Sequence, residues 1–256
     1  MKTLVLSTTI ALLLLSGTYL QAQTAKEIAY KVYNRKAPKN GESDMTMTLI
    51  NKKGNKRVRN LHQFFIDLGS IEKQIMFFTA PADVKNTSFM NWTYDEADKE
   101  DDQWLYLPAL MKVKRISSSS KDNDFMGSDF TYEDMEKRSP ERDNQILIGS
   151  ENLNGESHWV IEATPKEEGQ YAKRKVWVSK SKSIPSKIEF YDEGNELLKV
   201  LTITETQLIK GYWVVVKQEM KNVQKNHKTV ISLMNIKVES GITEEKFTQR
   251  EMERGL

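Results

Sequence analysis

The feature that most constrains this fold is an alternation of apolar and polar residues with a period of two, interrupted by a turn about every ten residues. Met45, Met47 and Leu49 alternate with polar neighbours, and a turn follows at 51–55. Further predicted strands lie at 57–66, 72–79, 145–148, 158–163, 174–179, 187–191, 196–204, 212–220 and 229–238. Because short turns join antiparallel neighbours, the pattern predicts one antiparallel meander with one apolar and one mostly polar face, not βαβ units.

Helical periodicity is restricted to short segments. Residues 24–35 (TAKEIAYKVYNR) place Ile28, Val32 and Tyr33 on one face, which predicts an amphipathic helix. Two further helices are expected near 129–137 and 243–253. These few helices would cover the apolar face of a mainly β domain, and no break in composition divides it.

The amino terminus has the order of a secretory signal peptide. Lys2 precedes an apolar run from Leu4 to Leu15, and small residues lead to a cleavage site expected after Ala22. The alternative, an uncleaved anchor, is disfavoured because a span needs roughly 20 apolar residues. We therefore predict a signal peptide at 1–22 and a single domain at 23–256.

The composition fits a periplasmic protein. The chain has no cysteine, which excludes disulfides and a lipobox cysteine for lipid attachment. A mature chain of roughly 230 residues can bury a sufficient core without disulfides, so a soluble, periplasmic monomer is expected. The 38 basic and 36 acidic residues nearly cancel, which makes nucleic acid a poor partner.

No residue pattern indicates catalysis. The three histidines, His62, His158 and His227, lack metal-ligand spacing. Ser128 beside Asp129 permits a hydrolase interpretation, but no G-x-S-x-G elbow surrounds it. A turn at Gly127 followed by a cap on the next helix explains the same residues better, and Thr131 with Asp134 fits a capping pair. We predict no catalytic residues, no metal and no cofactor.

The middle third is unusually rich in large apolar side chains. They are Phe77, Phe78, Phe89, Met90, Trp92, Trp104, Leu105, Tyr106, Leu107, Leu110, Met111, Phe125, Met126 and Phe130. Some belong to the core, and the excess, including adaptable methionines, favours a pocket for flexible acyl chains. Pro108 should end a strand, and basic residues after it face either an anionic headgroup or solvent.

Several blocks of this region resemble a known family. Residues 78–87 (FTAPADVKNT), 104–110 (WLYLPAL), 114–117 (KRIS), 125–130 (FMGSDF), 132–134 (YED) and 247–255 (FTQREMERG) look like the outer membrane lipoprotein-sorting protein family, which is similar to the periplasmic carrier LolA. The resemblance implies a LolA/LolB-like half-open antiparallel β-barrel, with a helical lid over an apolar cavity and no catalytic residues.

The residues and the resemblance together lead to one main hypothesis. It is a non-catalytic carrier that binds a lipid or lipoprotein acyl moiety, for transfer to the outer membrane or with an envelope exporter. The predicted cavity and lid residues are Phe78, Trp92, Trp104, Tyr106, Leu107, Leu110, Met111, Phe125, Met126 and Phe130, and the predicted headgroup residues at the mouth are Lys112, Lys114 and Arg115. The alternative is a protein-interaction, envelope-stress-sensing or transporter-accessory module on the same scaffold.

Overall fold

The computed structural model describes residues 24–256, so the predicted signal peptide lies outside the described residues. Thirteen strands form one antiparallel sheet. They are β1 (Asn40–Ile50), β2 (Lys56–Asp67), β3 (Ile71–Ala80), β4 (Ser88–Tyr94), β5 (Asp102–Leu107), β6 (Lys112–Arg115), β7 (Asp143–Leu153), β8 (Glu156–Pro165), β9 (Lys173–Ser179), β10 (Pro185–Tyr191), β11 (Leu197–Ile209), β12 (Tyr212–Asn222) and β13 (His227–Val238).

The order of the strands makes the sheet a half-open barrel. It runs β6-β5-β4-β3-β2-β1-β13-β12-β11-β10-β9-β8-β7, so every strand except β1 and β13 pairs only with sequence neighbours. The sheet is curved but does not close, because β6 and β7 remain its two edges. Residues 116–142, here called the crossing segment, connect those edges. The predicted half-open antiparallel meander is confirmed.

The inner face of the sheet holds the main core. On β3, Met76 and Phe78 face inward while Ile75 and Phe77 face outward, as the two-residue period requires. The inward side chains share one cluster with Phe190 of β10, six strands away in the sheet. Side chains of such distant strands meet only on a concave face, so the core fills the inside of the half-barrel.

Two α-helices cover opposite faces. Helix α1 (Ala25–Tyr33) begins with a capping box between Thr24 and Glu27, and it packs Ile28 against Ile161 and Val178 on the inner face. Helix α2 (Gln249–Arg254) lies on the outer face over β4 to β6. Helices were predicted at both places.

The helix expected near 129–137 is wrong in kind. The structure has a single 3₁₀ turn there, Glu133–Met135. The backbone amides of Tyr132 and Glu133 donate to the carbonyls of Asn123 and Lys121, so the chain folds back on itself. Those bonds replace the i to i−4 bonds of an α-helix. The cover over the inner face therefore consists of α1 and a crossing segment with short 3₁₀ turns.

One negative result concerns helices. Within residues 24–256, neither α-helix combines the length and apolarity that a membrane crossing requires.

Candidate ligand-binding site

A cavity with an apolar floor, here called the main cavity, measures 650 Å³. It lies between α1, the crossing segment and the inner face of β8 to β12. Its floor consists of Ile161, Ala163, Val176, Val178, Ile188, Phe190, Leu201 and Met220. Ala29 and Val32 of α1 close one side, and Phe130 of the crossing segment closes another. The volume falls within the range of about 300–1,000 Å³ typical of small-molecule sites.

A second cavity of 390 Å³ lies on the other side of Met135 to Lys137, over β1 to β4 and β12 to β13. Both cavities are lined by Arg35, Asp67, Glu72 and Lys137. The charged residues therefore form a mouth common to the two cavities, while the crossing segment separates their interiors.

The mouth holds charges of both signs. Lys137 forms an ion pair with Glu72. The Nη1 atom of Arg35 donates to the carbonyl of Trp213 at 3.0 Å, and burial lowers the pKa of Arg35. The Tyr33 hydroxyl donates to Asp95 at 3.0 Å, and burial followed by this bond raises its pKa. An ammonium, a guanidinium and carboxylates thus surround the entrance to an apolar interior.

The crossing segment is fixed by buried ion pairs. Asp134 lies 2.5 Å from the Nζ atom of Lys199, and the Tyr171 hydroxyl donates to the same carboxylate at 3.0 Å. Burial and the negative charge of Asp134 raise the pKa of Tyr171, which keeps this phenol protonated as a donor. The contact joins the crossing segment to β11 across the inner face.

A second group of charges lies where the crossing segment meets β7 and β9. Arg174 reaches Glu133 at 2.8 Å, and Arg138 reaches Asp143 at 2.7 Å. Hydrogen bonds and attraction from Asp143 outweigh burial and raise the pKa of Arg138. All four side chains line the main cavity, so one wall of this cavity consists of ion-paired side chains.

Asp129 provides a third anchor. Its Oδ2 atom accepts from the Thr229 hydroxyl at 2.6 Å and lies 2.7 Å from Nδ1 of His227 on β13. The hydroxyl of Ser128 donates to the carbonyl of Phe130 at 3.3 Å, so this serine stabilises the local turn. Asp129 was predicted as a possible helix cap and instead joins the segment to the sheet.

The capping pair predicted for Thr131 and Asp134 is present. The amide of Thr131 donates to Asp134 Oδ2 at 2.8 Å, and the amide of Asp134 donates to Thr131 Oγ1 at 3.3 Å. The predicted turn at Gly127 also has the expected backbone, with φ of 69°. Gly127 of the FMGSDF motif and the capping pair just after the motif therefore stabilise the local turns.

The predicted site residues separate into three groups. The first lies in the inner core, where Phe78, Phe125 and Phe130 are buried and Leu107 and Met126 pack partly buried against them. Phe130 alone of the ten apolar residues lines the main cavity. For the others of this group, a direct contact with ligand stays a prediction.

The second group lies on the outer face. Trp104 is buried and packs with partly buried Trp92 and Tyr106 in the cluster covered by Phe247 and Met252. The rings of the two tryptophans are 5.0 Å apart in an edge-on arrangement. The sheet therefore separates these residues from the main cavity.

The third group is exposed at one end of the sheet. Leu110 and Met111 occupy the connection between β5 and β6, and Lys112, Lys114 and Arg115 lie on the edge strand β6. Arg115 forms an ion pair with Asp102. None of these five residues lines the main or the second cavity.

Sequence reasoning missed the floor of the main cavity and the ion pairs beside it. Alternation marked Ile161 and Ala163 as residues of one sheet face but did not distinguish a packed face from one over a cavity. Lys199 and Asp134 are 65 residues apart, and no local pattern joins them.

Comparisons with known proteins agree with this architecture. A family model described as "Uncharacterized protein" matches residues 70–254. A comparison with curated proteins finds no significant match. A DUF1329 family protein from Desulfovibrio piger has 28% identity and a TM-score of 0.83, over 89% of this chain and 97% of that one. A LolA superfamily protein from Nitrosomonas europaea has 19% identity and a TM-score of 0.68, over 90% and 100%, which shows a shared fold.

A higher identity is found with an outer membrane lipoprotein-sorting protein domain from Vibrio parahaemolyticus. The two chains are 32% identical with a TM-score of 0.85, over 90% of this chain and 98% of that one. Together with the family model, this match extends the resemblance of the short blocks to nearly the whole described structure. The chain belongs to the outer membrane lipoprotein-sorting protein family.

Proposed function

We propose that the protein is a non-catalytic periplasmic carrier that binds the acyl moiety of a lipid or lipoprotein in the main cavity. The observation that carries this proposal is an apolar floor under a 650 Å³ cavity with a charged mouth. Such a shape suits an amphiphile, because its chains leave water while its polar end stays near the mouth. Transfer to the outer membrane, or together with an envelope exporter, is the corresponding cellular role.

The energy of binding comes from the chain. Each methylene removed from water contributes about 0.8 kcal/mol, so ten methylenes contribute about 8 kcal/mol before the costs of association. The floor offers branched and aromatic side chains but no hydrogen bond that an acyl chain would need. The site would therefore select for chain length more than for chain chemistry.

Release requires the cover to move. The crossing segment closes the cavity through Phe130, and the backbone of Met126 and Gly127 just before it has positive φ. This turn is the place where the segment can change direction with little loss of packing, because Gly127 has no neighbour within 4 Å of its Cβ position. Opening there would expose the chain to an acceptor membrane or protein.

The decisive experiment is binding of a long-chain fluorescent fatty acid to delipidated protein, with native mass spectrometry of the lipid that copurifies. Ala163→Trp fills the cavity floor and should weaken probe binding about tenfold or more, equal to about 1.4 kcal/mol. Thr164→Trp is the matched control, because Thr164 is exposed on the opposite face of β8. The control should bind within about twofold of wild type.

The carrier proposal fails if the wild-type protein neither takes up the probe nor copurifies with lipid. It also fails if folded Ala163→Trp and Thr164→Trp bind the probe equally well, because the main cavity would then not be the site. Thermal unfolding of both variants shows whether they are folded.

A second candidate function is a protein-interaction module. The observation that favours it is the edge strand β7, where Ile146, Leu147 and Ile148 are exposed together. An exposed edge with apolar residues can pair with an extended segment of another protein. Leu147→Lys should then abolish pull-down of a partner while leaving probe uptake unchanged. If the protein acts only as a carrier, the Leu147→Lys variant should pull down the same proteins as wild type.

A further inference from the structure

A row of uncharged polar side chains crosses the inner face on five consecutive strands. It consists of Ser43, Gln63, Gln74, Asn91 and Gln103, on β1 to β5 in that order. Ser43 lies opposite Gln63 in the register, Gln74 opposite Asn91, and Asn91 opposite Gln103. This polar row interrupts the apolar core. Its first four members line the second cavity, together with Thr93.

The amide groups of the polar row donate to one another or to neighbouring residues. Gln63 Nε2 donates to Ser43 Oγ at 2.8 Å, and Gln74 Nε2 donates to Gln63 Oε1 at 3.1 Å. Asn91 Nδ2 donates to Thr93 Oγ1 at 2.9 Å. These hydrogen bonds orient the amide groups, and some of the amide oxygens receive no hydrogen bond.

Three of those oxygens lack a hydrogen-bond partner among the described residues: Asn91 Oδ1, Gln74 Oε1 and Gln103 Oε1. Asn91 is 4% exposed, and its Oδ1 atom is buried without a hydrogen-bond partner. Gln74 lies directly opposite, and no described donor reaches its Oε1 atom. A buried acceptor without a partner, such as Asn91 Oδ1, is destabilising, so a donor from a bound molecule would be stabilising there. Gln74 is half-buried and lines the same cavity beside it.

Neither lysine that lines the second cavity is free to pair with an anionic occupant. Lys73 is the nearest cation to these oxygens along β3, but its Nζ atom lies 2.6 Å from Glu244 and 3.8 Å from the centre of the Trp92 ring. The Lys137 ammonium at the mouth is paired with Glu72. An anionic head would find no free lysine there, whereas hydroxyl groups can donate to the free acceptors.

We propose that Gln74 and Asn91 of the polar row recognise the hydroxyl groups of an uncharged polyol head, glycerol or sugar, on the amphiphile whose chain occupies the main cavity. This inference rests on the proposed carrier function. The mouth common to the two cavities lets one molecule enter both, with its head over β1 to β4 and its chain over β8 to β12. Hydroxyl groups would donate to Asn91 Oδ1 and Gln74 Oε1.

The test compares ligands that share one alkyl chain and differ in the head. A monoacylglycerol, an alkyl glucoside and an alkyl dimethylamine oxide displace the fluorescent fatty acid from wild-type protein and from two variants. Gln74→Met removes an acceptor while keeping the side-chain length. Gln103→Met is the matched control, because Gln103 belongs to the same row but donates to the Tyr132 carbonyl and does not line the cavity.

Gln74→Met should weaken at least one hydroxyl-bearing ligand about tenfold and leave the amine oxide unchanged, since the amine oxide has no hydroxyl to donate. Loss with monoacylglycerol alone identifies glycerol, and loss with the glucoside alone identifies sugar. Gln103→Met should leave all three affinities unchanged. Asn91→Leu, with its folding checked by thermal unfolding, should repeat the selective loss.

Equal effects on all three ligands, or no effect on any, would overturn the inference, because a row that only holds water or only supports the fold does not discriminate among heads. That result leaves the carrier function standing as long as the wild-type protein binds the shared alkyl chain. Failure of the wild-type protein to bind any of the three ligands removes both proposals.

Discussion

Asp134 of the crossing segment and Lys199 of β11 form an ion pair of 2.5 Å, with side chains only 6% and 3% exposed. The pair lies on the inner face, where water does not screen it, and Tyr171 adds a hydrogen bond to the same carboxylate. Removal of one partner leaves the other charge buried, and such a change costs about 3–5 kcal/mol. This contact is therefore central to the attachment of the cover.

The first prediction follows from that contact. Lys199→Met should lower the free energy of unfolding by about 3–5 kcal/mol in urea denaturation. Lys225→Met is the control, because Lys225 pairs with Asp124 of the same segment but both side chains are largely exposed. Its cost should be about 0.5 kcal/mol. Equal costs in the two variants would show that the buried pair does not hold the segment.

The second prediction concerns pH. Burial alone would raise the pKa of Glu156, but hydrogen bonds from Ser179, Ser181 and Lys182 outweigh it and lower the pKa to about 2. A lowered folded pKa stabilises the protein above the unfolded value near 4.5, and this stabilisation is lost as the pH falls towards 2. Glu156→Gln should therefore cost about 1–2 kcal/mol at neutral pH, after allowance for solvent screening, and almost nothing near pH 2.

Urea denaturation of wild type and Glu156→Gln at both pH values measures this difference. Glu167→Gln is the control, since Glu167 is exposed and makes no ion pair within the described chain. A Glu156→Gln cost that stays constant between neutral and acidic pH would contradict the assignment.

The third prediction separates two residues that the sequence placed in the same site. Phe125 is fully buried among aromatic rings of the inner core, and Met111 is 83% exposed. Phe125→Ala should cost about 3–5 kcal/mol of unfolding free energy. Met111→Asp should change it by no more than about 0.5 kcal/mol. A large loss of stability in Met111→Asp would mean that the connection between β5 and β6 packs against the protein.

The sequence predicts the meander well because its signal is local. Met45, Met47 and Leu49 alternate within one strand, and a short turn leaves the following strand little choice but to pair antiparallel. Helix α1 is equally local, since Thr24 and Glu27 form its cap and Ile28 lies on its apolar face. These elements need no knowledge of distant residues.

The site is less predictable because its parts come together only in the curved sheet. Ile161 and Ala163 look like ordinary strand residues, and nothing local in the sequence shows that α1 covers only part of this face and leaves a cavity beside Phe130. Conversely, Trp104 and Leu105 are adjacent in an aromatic block, yet the two-residue period sends them to opposite faces. The high density of apolar residues in the middle third of the sequence therefore did not show which face of the sheet carries the cavity.

The last prediction tests that division of faces. Trp104→Phe should leave the affinity for the fluorescent fatty acid within about twofold of wild type, because Trp104 packs with Trp92 beneath Met252 on the outer face. The same change should lower stability through lost packing, by about 1–3 kcal/mol. Leu201→Trp, on the cavity floor, should do the reverse and weaken probe binding strongly. Loss of binding in folded Trp104→Phe, with binding retained in Leu201→Trp, would place the acyl site on the outer face.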